Sequence, residues 1–132
     1  MANTSKTGSS AKVLYCEGDS ELLEAQSGAI QKAGYQVETA SDRKSVIAAL
    51  GKGNYGMVVL GATLSKNDRH HLAYMVKKAS QSTRVLVLHT DGERHPAVDA
   101  NLDTGCSLES ILTKITSMMP AASMTRAAAA GR

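Results

Sequence analysis

The chain has 132 residues, enough for one domain with a buried core, and 42% of them are hydrophobic although Phe and Trp are absent. No apolar stretch approaches the roughly 20 residues of a membrane helix, and residues 1–10 lack the apolar segment of a secretory signal, so we expect a cytoplasmic location and no membrane contact. Three of the 15 basic side chains, Lys6, Arg126 and Arg132, lie outside residues 11–119, and the remaining 12 balance the 12 acidic ones. A formally neutral body argues against nucleic-acid binding.

Both ends of the chain have compositions typical of segments without fixed structure. Residues 1–10 are rich in Ser, Thr, Asn and Gly and are predicted to be a disordered leader, whereas the Ala-rich residues 120–132 are predicted to be a mobile tail. The single domain is therefore expected at residues 11–119. Its two cysteines, Cys16 and Cys106, have neither metal-ligand nor CxxC spacing and are interpreted as reduced thiols.

Strands and helices alternate along the predicted domain. Hydrophobic patterns predict strands at residues 12–16, 35–39, 55–64, 84–88 and 101–103. Helices are expected to follow caps at Asp19 or Ser20, at Ser41 and at Ser107, and a further helix is expected to start at Asn67 or Asp68. Between the last two strands, the sequence around residues 95–99 is long enough only for a shortened helix. In the helix after Asp68, Arg69 is expected to point largely outward.

The central predicted strand, at residues 55–64, carries the apolar run Met57–Leu60, and Gly61 lies at the carboxyl end of that run. A short apolar run of this kind is typical of a strand buried on both faces in a parallel sheet, with helices above and below it. The alternating pattern therefore predicts a three-layer α/β fold with a doubly wound parallel sheet. In such folds the functional site lies beyond the carboxyl ends of the strands, where Gly61 is placed.

The framework of residues 11–117 resembles the CheY-like receiver domain of two-component response regulators. Short sequence segments carry this resemblance: Lys-Ala-Gly-Tyr-Gln-Val at 32–37, Ala-Ser-Asp at 40–42, Ala-Ala-Leu at 48–50, Tyr55, Leu64, Asp68 and Ser-Leu-Glu at 107–109. The resemblance implies a flavodoxin-like (βα)5 fold with strand order 2-1-3-4-5 and a signalling protein as partner.

Phosphotransfer in this family uses an acceptor Asp after the third strand, two acidic residues after the first strand that help to bind Mg²⁺, a hydroxyl after the fourth strand and a Lys after the fifth. Carried over position by position, the acidic pair falls on Glu17 and Gly18, the acceptor on Gly61 and the hydroxyl on His89, with Thr90 next to it. The Lys position falls on Thr104.

The nucleophile, the cation and half of the metal site are therefore missing together. We interpret these residues as a degenerate phosphorylation pocket, expect Mg²⁺ binding to be weak or absent, and assign no catalytic or metal-ligating residue. The resulting hypothesis is a non-enzymatic pseudo-receiver that acts as a protein–protein interaction module and uses its first or last helix for contacts. A homodimer is also compatible with the sequence.

A functional phosphoacceptor or a small flavodoxin-like enzyme is the alternative, with displaced residues Glu17, Asp19 and His89 supplying the chemistry. The simpler interpretation is that Asp19 caps a helix and Glu17 is a remnant of the metal site, because no nucleophile or ligand spacing supports a reaction.

Overall fold

The computed structural model describes residues 12–53, 55–89, 96–103 and 105–119. The predicted leader and tail lie outside these ranges, as do two of the predicted pocket residues, Thr90 and Thr104. None of the helices in the described part is long and apolar enough to span a lipid bilayer.

Five strands and four helices are found in the described ranges. The strands are β1 (Lys12–Cys16), β2 (Gln36–Ala40), β3 (Met57–Leu60), β4 (Arg84–Val87) and β5 (Ala100–Asn101). The helices are α1 (Ser20–Lys32), α2 (Arg43–Lys52), α3 (Lys66–Ala79) and α4 (Leu108–Met118). Between β4 and β5, residues 96 and 97 form a turn and residue 99 a bend, which is consistent with the shortened helix expected there.

All five strands are parallel and lie in the order β2-β1-β3-β4-β5, so the predicted flavodoxin-like sheet is confirmed. In the register, Cys16 at the end of β1 lies between Ala40 of β2 and Leu60 of β3, and Leu60 pairs in turn with Val87 of β4. The carboxyl ends of four strands thus meet at one edge, which places the residues after β1 and β3 side by side.

Successive residues of the central strands point to opposite faces of the sheet, and each face has its own core. Val58 and Leu60 pack with residues of α2 and α3, including Val46 and Leu72. Met57 and Val59 belong instead to the core that contains residues of α1 and α4. All four residues of β3 are fully buried, as the apolar run predicted.

The beginnings of two helices differ from the prediction. Asp42, not Ser41, caps α2: its carboxylate accepts a hydrogen bond from the Ser45 amide at 2.8 Å, while the Ser45 hydroxyl accepts one from the Asp42 amide at 3.2 Å. Helix α3 is capped by Ser65 and begins at Lys66, one residue before the earlier of the two expected starts, Asn67. Caps at Asp19 and Ser107 are confirmed.

Candidate functional site

The candidate site is formed where β1 and β3 end next to each other. The Gly61 amide donates to the Cys16 carbonyl at 2.7 Å, and the Glu17 amide donates to the Ala40 carbonyl at 3.2 Å. These bonds continue the sheet by one residue beyond its strands and bring Glu17 and Gly61 together at the carboxyl edge.

Glu17 occupies the space that a side chain at position 61 would need. A Cβ atom built on Gly61 would overlap the carboxyl carbon of Glu17 and both of its carboxylate oxygens. Glu17 itself is only 1% exposed, although it follows a strand at the sheet edge. Gly61 therefore allows the carboxylate of a neighbouring strand to fill the volume that an acidic side chain at that position would take.

The buried Glu17 carboxylate accepts hydrogen bonds at both of its oxygens. Tyr15 donates its hydroxyl to Oε2 at 2.6 Å, and Thr63 donates its backbone amide to Oε1 at 3.0 Å and its hydroxyl to the same atom. A buried carboxylate is costly unless such donors replace water. These three donors make the burial of Glu17 compatible with a stable fold.

Thr63 also connects the loop after β3 to the loop after β1. Its hydroxyl oxygen accepts from the Gly18 amide at 2.7 Å and from the Asp19 amide at 3.1 Å. A Cβ atom on Gly18 would lie 2.8 Å from the Thr63 carbonyl oxygen, which is backbone and cannot swing away. A glycine at position 18 therefore permits the two loops to come into direct contact.

Tyr15 connects Glu17 to helix α1. Its hydroxyl contacts the side-chain amide of Gln26 as well as Glu17. The phenolic oxygen lies against Oε1 of Gln26 and Oε2 of Glu17, and because a phenol has one proton it donates to one of these acceptors at a time. Burial raises the pKa of Tyr15, and the hydrogen bond to Glu17 and its negative charge raise it further, so Tyr15 remains a donor at neutral pH.

Asp19 is used as a helix cap. Its Oδ1 accepts from the backbone amides of Glu21 at 2.9 Å and Leu22 at 3.3 Å, at the beginning of α1. This satisfies amides that the helix itself leaves without partners. The role matches the simpler of the two interpretations made from the sequence.

Arg69 was expected to point outward, and this prediction was wrong. The side chain is 4% exposed, and its guanidinium donates to the carbonyl oxygens of Ala62 at 3.4 Å and Leu64. Because the intervening residue is Thr63, the loop after β3 is held by Arg69 through its carbonyls and by Glu17 through its amide.

His89 is the remaining predicted site residue within the described ranges. His89 follows β4 and is partly buried, and its carbonyl oxygen accepts a hydrogen bond from the Asn101 side chain at 2.9 Å. Sequence reasoning missed Tyr15 and Thr63. Tyr15 was open to detection, because residues two apart on a strand point to the same face, as Tyr15 and Glu17 do. Thr63 had no such signal, since loop conformation decides where it points.

The strand order and the helices on both sides define the fold of CheY-like receiver domains. The chemotaxis protein CheY4 of Vibrio cholerae is similar over 82% of this chain and 98% of its own, with a TM-score of 0.72 and 23% identity. The response regulator TrrA of Thermotoga maritima, in complex with Mg²⁺ and BeF, gives a TM-score of 0.70 at 17% identity over 81% of this chain and 97% of its own.

A structure described as adenylate cyclase from Rhodopirellula baltica is similar as well, with a TM-score of 0.74 and 14% identity over 83% of this chain and 87% of its own. At such identities the likeness shows the fold alone. No family model matches the chain, and no curated protein does.

Proposed function

We propose that this chain is a pseudo-receiver, a non-enzymatic receiver-fold module of two-component or phosphorelay signal transduction that binds a protein partner without accepting a phosphoryl group. The single observation that carries the proposal is the Glu17 carboxylate in the side-chain space of Gly61. In the receiver likeness, position 61 is that of the acceptor, and here a hydrogen-bonded structural carboxylate fills it.

Glu17 is poorly placed to act as the acceptor in its own right. A carboxylate nucleophile must present an oxygen lone pair to the phosphorus atom in line with the leaving group. Glu17 is 1% exposed, and its oxygens accept bonds from Tyr15 and Thr63. Attack would first require these bonds to break and the loop of Thr63 to open, which adds to the barrier of the chemical step.

The donors at the edge also support the proposal that Mg²⁺ binds weakly or not at all. Glu17 is engaged by protein donors, Asp19 caps α1, and position 18 has no carboxylate. Mg²⁺ prefers octahedral oxygen ligands with at least one or two available carboxylates. Across the described part of the chain, no three His, Cys, Asp or Glu side chains are grouped closely enough to hold a metal ion.

The same contacts favour a single signalling state. An ordinary switch needs two conformations whose populations a ligand shifts. Here Glu17 accepts from the amide of Thr63, and Arg69 donates to the carbonyls of Ala62 and Leu64, without any added group. The surface offered to a partner is therefore expected to be constant, and partner binding should be independent of phosphodonor.

A phosphorylation assay tests the proposal. The full chain is incubated with Mg²⁺ and acetyl phosphate, and its intact mass is measured before and after hydroxylamine treatment, which cleaves acyl phosphates. We expect no phosphoryl adduct and no shift of the amide resonances of Glu17, Gly18, Gly61 or Thr63 on addition of Mg²⁺.

A hydroxylamine-sensitive adduct would contradict the proposal. In that case the variants Glu17→Gln and Asp19→Asn would locate an acyl phosphate. An acid-labile adduct that survives alkali, which cleaves acyl phosphates, and that is lost in His89→Ala would instead indicate the displaced-residue alternative through histidine.

A further inference from the structure

The two faces of the sheet carry helices of very different charge. Helices α2 and α3 contact each other on one face and hold seven Lys and Arg side chains against one acidic residue, a formal charge of +6 with neutral histidines. Helices α1 and α4 on the other face hold two basic and three acidic side chains, a formal charge of −1. The fold thus separates charges that balance along the sequence and creates one strongly positive face.

Most of the positive charge on this face is open to solvent. The four exposed lysines of the two helices are Lys44, Lys52, Lys66 and Lys78. Of the other three cations, Arg43 pairs with Asp68 at 2.7 Å, Lys77 pairs with Asp99 at 2.8 Å, and Arg69 is buried. The exposed lysines keep most of the excess charge at the surface, where it can meet a partner.

The same two helices carry the exposed large hydrophobic side chains of the described ranges, Ile47 at 37% exposure and Tyr74 at 53%. The aromatic residues of this chain are its four tyrosines, and the other three, Tyr15, Tyr35 and Tyr55, are buried. Lys78 follows Tyr74 by four residues and thus lies beside it on the helix surface. Tyr is one of the residue types enriched in protein-binding hot spots, and the neighbouring Lys78 adds a positive charge that complements an acidic partner.

We infer that the α2–α3 face, defined by Lys44, Ile47, Tyr74 and Lys78, binds an acidic surface of a partner protein. The inference rests on the proposed function and deepens it by naming the face and the chemistry of the partner. Charge complementarity selects an acidic partner, and Ile47 and Tyr74 supply the apolar contacts that a purely electrostatic encounter lacks. One exposed aromatic offers no series of stacking platforms for nucleic acid.

The sequence alone favoured the first or last helix, α1 or α4, as the surface that contacts a partner. The α2–α3 face lies on the other side of the sheet. The grooves beside α4 have a mixed lining of small polar residues, apolar residues such as Leu112, and the oppositely charged Glu109 and Lys114. Such a mixture indicates no particular partner chemistry. The charge and the exposed tyrosine are what distinguish the α2–α3 face.

The experiment uses the ¹⁵N-labelled full chain and a synthetic acidic peptide with Glu and Leu at helical spacing as the probe. We expect amide shifts confined to α2 and α3 and an affinity that falls with added salt. Lys78→Glu and Tyr74→Ala should each weaken binding by about 5- to 10-fold. The matched control is Lys32→Glu, which reverses another exposed lysine in the last turn of a helix, α1, and should change binding by less than about twofold.

Equal loss in Lys32→Glu and Lys78→Glu, absence of peptide binding, or shifts confined to α1 and α4 would each overturn the inference. So would equal binding of a Lys–Leu peptide, or tighter binding of a single-stranded oligonucleotide or of phosphatidylserine vesicles. Thermal unfolding of each variant verifies that it is folded. A phosphoryl adduct would refute the pseudo-receiver without moving the peptide site, whereas a peptide site on the other face would refute only the present inference.

Discussion

Glu17 and Thr63 are joined by two hydrogen bonds, from the backbone amide and from the hydroxyl of Thr63, and both end on Oε1 of the carboxylate. The carboxylate is buried, so a lost bond is not replaced by one to water. The pair joins the end of β1 to the loop after β3. The contribution of this pair to stability can be measured by a substitution at position 61 that fills the space of the Glu17 carboxylate.

Gly61→Ala should destabilise the protein by about 2–4 kcal/mol, because the new Cβ displaces the Glu17 carboxylate from its donors. Urea unfolding measures the loss. Gly28→Ala is the matched control, since a Cβ there has no neighbour within 4 Å in the middle of α1, and it should stabilise the protein by about 0.5–1 kcal/mol.

In a Glu17→Ala background, Gly61→Ala should lower the free energy of unfolding by at least about 1 kcal/mol less than in the parent chain, because the carboxylate that it would displace is absent. A double-mutant cycle with the two single variants measures this coupling. Strictly additive effects would show that Glu17 does not occupy the space of position 61 in solution.

Asp19→Ala should cost about 1 kcal/mol of stability, because two amides at the beginning of α1 lose their acceptor. Asp19→Ser keeps a capping oxygen and should restore most of this loss. Guanidinium unfolding of the two variants distinguishes the roles: a cap tolerates Ser, whereas a carboxylate needed for chemistry or metal binding does not.

Tyr35→Phe should lower the free energy of unfolding by about 1 kcal/mol. The buried Tyr35 hydroxyl donates to the carbonyl of Met119, the residue that ends α4, at 2.6 Å, and Phe removes this bond without changing the ring. Tyr74→Phe removes an exposed hydroxyl and serves as the control. Equal stabilities of the two variants would place Met119 elsewhere in solution.

Asp99 should make stability depend on acid pH. Burial alone would raise the pKa of Asp99, but hydrogen bonds from Lys77 and the Val85 amide outweigh it and hold the pKa below its usual value. A depressed pKa gives a stabilisation that is present above the unfolded value of about 3.9 and is lost as the pH falls through the folded value.

Asp99→Asn should therefore cost about 1 kcal/mol at neutral pH and progressively less as the pH falls below about 4. Urea unfolding at a series of pH values measures the difference from the parent chain. Glu24→Gln, an exposed carboxylate on α1, is the control. A cost that stays constant down to the acid limit would contradict the pKa direction.

Hydrophobic periodicity was sufficient to predict the order and type of every element in the described ranges, because burial on one or two faces leaves a period in the sequence. The predicted ends of the elements were less exact than their order and type. Ser41 and Asp42 are both good capping residues, and the choice between them depends on which one faces the first turn. Arg69 was misplaced because its burial depends on loop carbonyls, at Ala62 and Leu64, that no helical period reveals.

The sequence by itself determined that position 61 has no carboxylate and that positions 17 and 18 retain one between them. Only the tertiary structure decided that the retained carboxylate fills the space at Gly61, because parallel pairing of β1 with β3 sets their ends side by side. The sequence likewise established a neutral body, whereas the packing of α2 with α3 made one of its faces positive. Residue types are local properties, but distances and surfaces depend on contacts between residues far apart in the chain.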